Sequence, residues 1–257
     1  MKAMIKKEYL YGIRNSKFLI IGFTFMFFAL SVPVMVKVLL PSLLKSQFPG
    51  LSETDLAMMM DISQTGSLIN YLKNTFEIGM ILISFTLSGL IASELKENTL
   101  VLSICSGRKF APILLSKYIV NAIFIVSISF IALSTTYYYS TILFENEVTF
   151  SAIMKSALLE SILLMFVVAL ILTIGTFTKK PIATGLFSVG LVYLLSLIGG
   201  LFKINKYVPT GLHIEANQFV SEFNNDTFIT IAITIALIAV LLITSIKKLE
   251  FSEYNQR

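Results

Sequence analysis

The chain has 257 residues, of which 56% are hydrophobic and only 14% charged, and its mean hydropathy is +0.83. Soluble domains carry about 25% charged residues, so this composition supplies too little polar surface for a water-soluble globule. The net charge of +5 comes from basic residues gathered at the ends of apolar runs rather than on one solvated patch, which excludes a nucleic-acid-binding surface.

Residues 1–17 read as an amphipathic helix lying on a membrane. Met4, Ile5, Tyr9 and Ile13 recur at helical spacing, while Lys2, Lys6, Lys7 and Arg14 supply positive charge for anionic headgroups. The plainer alternative is a basic flank before the first span. The segment is too polar for a cleavable signal, and the apolar run after it is long enough to span. Span 1 is expected at 18–40, kinked by Pro33 and ended by Pro41, with Lys37 reaching the interface. A first outer loop, 41–75, carries Glu53, Asp55, Asp61 and a patch around Met58, Met59 and Met60 that reads as packing.

Span 2, 76–93, runs into a charged inner loop, 94–117, and span 3 follows at 118–143. Span 3 carries Asn121 and the hydroxyls Ser127, Ser129, Ser134, Thr135 and Thr136. Such groups in a membrane helix bond their own backbone or a neighbouring helix more often than a substrate. Span 4, 152–177, contains Lys155 and Glu160, five apart and so about 500° around the helix. Glu160 reads either as a functional ionisable group or as a hydrated position near the outer rim. Asn121, Ser127, Ser134 and Glu160 are the candidates for a translocation path.

Lys179, Lys180 and Pro181 form a tight turn into span 5, 182–202, whose Gly199–Gly200 pair is expected to loosen the helix. A second outer loop, 203–227, holds His213, the chain's only histidine. Span 6, 228–246, presents Ala232, Ala236 and Ala239 as a small-residue face suited to close helix contact, and a polar tail follows. The fold class is therefore all-α: a polytopic membrane protein of six transmembrane helices with an N-terminal interfacial helix, in a single domain over 1–257.

Orientation follows from the basic residues. Fourteen lie on one side: five before span 1, four around the inner loop, two in the 178–181 turn and three in the tail. Six lie on the other: Lys37, Lys45, Lys73, Lys155, Lys203 and Lys206. The positive-inside rule places both termini and residues 94–117 in the cytoplasm. High usage of Lys, Ile and Asn points to an AT-rich bacterial genome, so the expected location is a bacterial cell membrane.

Several chemistries lack their residues. One cysteine, Cys105, allows no internal disulfide, and with His213 expected on the opposite side it forms no Cys–His pair. There is no H-E-x-x-H and no G-x-x-x-x-G-K-S/T, so neither a zinc protease nor a P-loop ATPase is encoded here. No metal or cofactor constellation is visible in the sequence, and no enzyme activity is expected of the chain alone. A gradient-driven carrier normally buries carboxylates near the midplane, whereas Glu77, Glu94 and Glu160 read as lying near span ends.

The inner loop organises the rest. Glu94, Lys96, Glu97, Arg108 and Lys109 surround a short apolar core in which Leu100 and Ile104 share a helical stripe, joined by Leu95 or Val101. This short amphipathic helix between two spans suits docking of a soluble partner. The loop resembles that of the membrane subunits of ABC-2 type exporters, in which span 2 ends in Glu and runs into a coupling helix of the form E-x-x-x-G-T-L, followed by a basic residue and a Lys opening span 3. Glu94, Thr99, Leu100, Arg108 and Lys117 stand at those places, and Asn98 stands where the pattern has Gly. Ser106–Gly107 replace a common Pro-containing pair, and Lys7–Glu8 with Arg14, Asn15, Ser16 and Lys17 resemble the family's N-terminal helix.

The resemblance implies an ABC-2, type V exporter-like permease that pairs with a second copy or a paralogue. It also implies two cytoplasmic ATPase subunits, which would bind the ATP and magnesium. Glu94, Glu97, Thr99, Leu100, Ile104, Arg108 and Lys117 would then couple to the ATPase, with Glu94 and Arg108 bracing the loop by charge-assisted bonds. A peptide antibiotic, drug, lipid or ion is compatible as cargo. The alternatives are an ion-coupled carrier, a vitamin-uptake membrane subunit, and a non-transporting scaffold or resistance factor.

Overall fold

The computed structural model describes residues 2–47, 61–100 and 109–254. Among the described residues, six helices are long and apolar enough to cross a membrane: Lys17–Leu43, Gln64–Lys96, Phe110–Leu143, Phe150–Thr178, Pro181–Leu201 and Asn225–Phe251. They are called spans 1 to 6 below. The N-terminal helix, Lys2–Arg14, precedes them, and a short loop helix, Gly211–Ala216, lies between spans 5 and 6. The patch Met58–Met60, Ile104 and Arg108 lie outside the described residues.

Span 4 is the axis of the bundle. Its most apolar window is 78% buried, against 28% for spans 5 and 6, because spans 2, 3, 5 and 6 and the loop helix all pack around it. Close approach is built into it at Gly175, where an added Cβ would lie 2.6 Å from Ile91 of span 2. The outward faces of spans 1, 5 and 6 carry exposed Leu19, Phe23, Phe27, Leu186, Leu197 and Ile235, as helices bordered by lipid tails require.

Several elements differ from what the sequence predicts. Span 2 begins at Gln64, upstream of the uniformly apolar run, because the stretch Gln64–Asn74 is amphipathic. Leu68, Tyr71 and Leu72 face inward while Lys73 faces out, and the Ser63 hydroxyl caps the first turn by accepting from the Gly66 amide at 3.0 Å. Pro41 does not end span 1. The helix passes Pro33, loosens into a π-helical turn over Met35–Leu39, and continues past Pro41 to Gln47.

The alanine face of span 6 is exposed. The packed seam is Thr227, Thr230, Thr234, Ile238, Leu242, Ser245 and Leu249. The Thr230, Thr234 and Ser245 hydroxyls can be buried because each bonds a carbonyl, as Thr234 does to Thr230 at 2.7 Å and Ser245 to Leu241 at 2.9 Å. Ser245 Oγ also lies at hydrogen-bond distance, 2.9 Å, from the Thr173 hydroxyl of span 4, a tie that alanine cannot make. Gly199 and Gly200 stay helical, and span 5 ends directly after them at Leu201. Gly199 admits the Asn205 side chain, whose Oδ1 would lie 2.7 Å from an added Cβ.

Among the described residues, Ser16, Asn98, Lys179, Lys203 and Phe219 adopt left-handed backbone, and two of them shape the N-terminal half. Ser16 (φ 56°) folds the N-terminal helix back onto span 1, and Asn98 (φ 56°) turns the chain after span 2. Asn98 stands where the ABC-2 pattern has Gly, and asparagine is among the few residues that adopt this region readily.

Candidate functional site

The N-terminal helix packs on the bundle through the face that carries its one acid. Tyr9 and Ile13 are exposed, and the face turned to the protein carries Glu8 and Gly12. Gly12 lies against the Phe18 ring, which would come within 2.4 Å of a Cβ, so the helix sits flat against the start of span 1. That brings Glu8, 5% exposed, to Lys117 of span 3, which is fully buried. Lys117 Nζ donates to both Glu8 carboxylate oxygens at 3.1 Å and to Glu94 Oε1 of span 2 at 2.9 Å.

Three chain segments thus meet on one ammonium. Two carboxylates and one ammonium carry a net charge of −1, and Lys7 at the rim, 3.9 Å from both Glu8 and Glu94, offsets it. Desolvating such ions costs several kcal/mol each, so the cluster persists only because the charges are paired at hydrogen-bond distance. Lys17 and Lys117 approach the Tyr11 ring at 4.9 and 6.0 Å. Burial holds the Tyr11 phenol above its usual pKa, with Lys117 opposing and Glu94 adding to the rise, so the ring stays neutral in this cluster.

The predicted coupling residues divide around this cluster. Glu94 and Lys117 are joined directly, and the Thr99 hydroxyl donates to the Glu94 carbonyl at 3.3 Å. Glu97 is exposed. Leu100 is 5% exposed and packs in this chain's own core, so it does not form part of a free docking stripe. Glu94 is bonded to Lys117, and the brace expected of Glu94 with Arg108 involves a residue outside the described ones. Glu8 and Lys7 were not among the residues singled out for coupling. The available signal was a lone acid in a basic helix, which identifies no partner.

The path candidates are not brought together. Asn121 donates to the Lys117 carbonyl at 2.8 Å, one turn from the charge cluster. Ser127 faces outward and donates to the Ile123 carbonyl at 2.8 Å, while Ser134 is half-buried. Glu160 sits toward the opposite end of the bundle and is 1% exposed, so the hydrated-rim reading does not hold. The central position of span 4 buries it, and the loop helix covers it. Glu160 Oε2 lies 3.1 Å from His213 Nδ1, and His213 in turn contacts Asn217. Lys155 does not reach Glu160. It donates to the Glu222 carbonyl and lies over the Phe223 ring at 5.1 Å.

A third polar cluster ties span 2 to the turn between spans 3 and 4. Gln64 Oε1 accepts from the Glu147 and Val148 amides at 2.7 and 3.1 Å, while its amide nitrogen donates to Thr141 at 2.9 Å. Glu147 Oε2 accepts from the Thr65 hydroxyl at 2.7 Å, and this bond holds the carboxyl below its ordinary pKa.

No family model matches the chain. Over 265 residues, taking in 99% of this chain and 98% of the other, it is 22% identical to "Uncharacterized transmembrane protein YxlG" of Bacillus subtilis (strain 168). That full-length likeness, together with the six apolar helices and the all-helical fold, makes this chain a polytopic helical membrane protein.

Proposed function

We propose that this chain is the membrane permease subunit of an ATP-binding-cassette exporter of the ABC-2 type. It would act as a dimer with itself or a paralogue, in a bacterial cell membrane with both termini cytoplasmic. The observation that carries the reading is the Glu8–Lys117–Glu94 cluster. It fastens the N-terminal helix to the ends of spans 2 and 3, on either side of the loop expected to meet the ATPase. A force applied to that loop is delivered to both spans and the interfacial helix together, because separating any of them strips a buried charge of its partner. The chain supplies no catalysis itself; ATP and magnesium belong to the partner.

The decisive experiment is a tagged pull-down in mild detergent followed by mass spectrometry. A stoichiometric soluble chain bearing a P-loop supports the proposal, and its absence under several detergents counts against it. Since Leu100 packs within this chain, the docking test falls on the exposed charges. The double reversal Lys96→Glu/Glu97→Lys should lower ATPase co-purification about tenfold or more while leaving membrane insertion intact. The buried Glu160–His213 pair gives an ion-coupled carrier its one specific support. Substrate movement driven by an ion gradient in proteoliposomes holding this chain alone would favour that reading.

A further inference from the structure

Glu160 has a property that the coupling reading does not use. Its Oε1 is buried and has no hydrogen-bond partner among the described residues, although its Oε2 is engaged by His213. The protonation state of the imidazole follows from Asn217. The Asn217 amide nitrogen donates to the His213 carbonyl at 2.8 Å, which identifies that atom as nitrogen, since the reverse orientation would set oxygen against oxygen. The same nitrogen faces His213 Nε2 at 3.1 Å, so Nε2 accepts and the ring proton sits on Nδ1, donated to Glu160.

The imidazole so placed is neutral, so an ionised Glu160 carboxyl gives the pair a buried net charge of −1. The surrounding groups do not neutralise it. From span 2, Tyr71 lies within electrostatic reach and Phe76 stacks on the imidazole at 4.3 Å. From span 5, Tyr193 meets the edge of Phe76 and donates to the Glu77 backbone, while the Glu77 side chain is exposed. On span 4 itself, Lys155 is engaged by the Glu222 carbonyl, and Glu215 on the loop helix adds no positive charge. On span 6, Asp226 is paired with Lys206.

We propose that Glu160 Oε1 is a proton-binding site and that its occupancy sets how tightly the loop helix is latched over span 4. The transfer is a single step: a hydronium ion at that end of the bundle gives a proton to Oε1, its O–H bond breaking to leave water as the new O–H bond forms, and the carboxylate becomes a neutral acid. The His213–Glu160 bond then passes from charge-assisted to neutral, losing roughly half its strength. The Ser156 hydroxyl, donating to the Ala216 carbonyl at 2.7 Å, is a second tie that carries no charge, so acidification loosens the cover without detaching it. The inference does not depend on an ATPase partner.

The test uses the full chain in lipid nanodiscs, brought from about pH 8 to about pH 5. Infrared difference spectra report protonated carboxylic acid, and hydrogen exchange corrected for intrinsic rates reports protection of the Gly211–Ala216 amides. The expected result is a carboxylic-acid band that appears on acidification, is missing in Glu160→Gln and is displaced in Glu160→Asp. It should accompany about a tenfold loss of loop-helix protection in the wild type only. Size-exclusion profiles show whether each variant folds, and Glu160→Asp keeps an acid at the site if Glu160→Gln does not. A band that is absent from the wild type or unmoved by either variant overturns the proposal. So does protection that rises on acidification, which would place the proton on His213 instead.

Discussion

Lys117 is the residue on which most depends at the N-terminal end of the bundle. Its ammonium is the shared donor to two carboxylates from distant parts of the chain, so Lys117→Met leaves Glu8 and Glu94 buried against each other. Removing one partner of a buried pair costs about 3–5 kcal/mol, and the variant should lose detergent-solubilised monodispersity or melt markedly earlier in a thermal shift assay. Adding Glu8→Gln to Lys117→Met removes one stranded charge and should recover part of the loss. If the double variant is no better than the single, the cluster does not act as a unit. Asn98 makes a smaller, signed prediction. At φ 56°, Asn98→Gly should be neutral to stabilising, whereas Asn98→Val should cost about 1–2 kcal/mol because a β-branched side chain resists left-handed backbone.

At the scale of elements, span 4 packs so closely on span 2 that Gly175→Ala forces Ile91 or the backbone to move. Overpacking of this kind costs about 1–3 kcal/mol, readable as a fall in thermal stability with insertion unchanged. The clamp between span 2 and the turn before span 4 should respond to pH. Glu147 is held below its ordinary pKa by Thr65, so the contribution is fully present above the usual glutamate value of about 4.3. It is lost as pH falls through the lower, folded-state value. Hydrogen exchange at the Glu147 and Val148 amides should show this acid loosening in the wild type and less of it in Thr65→Val. Both predictions rest on side-chain placement that apolar periodicity does not carry. Span 6 makes the same point, since its alanines suggested the contact face and a threonine–serine seam makes it. Alanine and hydroxyl residues are both small, and only the neighbouring carbonyls decide which set turns inward.

On the whole-molecule scale, the bundle carries one ionic cluster at each end of a central helix, and they suit different tasks. The Glu8–Lys117–Glu94 cluster is braced from three segments, with Glu94 Oε2 left buried and without a partner among the described residues. The Glu160–His213 pair has a free carboxylate oxygen and one moving part, the loop helix. If the chain couples to an ATPase, reversing Lys96 and Glu97 should disturb partner binding and leave the far-end proton response untouched. Glu160→Gln should do the opposite. Both variants measured in one preparation, by pull-down and by hydrogen exchange, separate the two ends.

Membrane character, the number of spans and the absence of protease and P-loop motifs were legible in the sequence, because each follows from composition, run length or a local pattern. The start of span 3 was not: the helix begins at Phe110 rather than 118, so Lys117, read as closing the inner loop, lies within the span. Only the tertiary structure decided which charges meet. Glu8 finds Lys117 across more than a hundred residues, and Glu160 finds His213 across a loop. Helical spacing assigns a residue to a face of its own helix. It does not say which helix that face will meet, because the pairing is set by close approach at glycines, by hydroxyl–carbonyl ties and by the need of every buried charge for a partner.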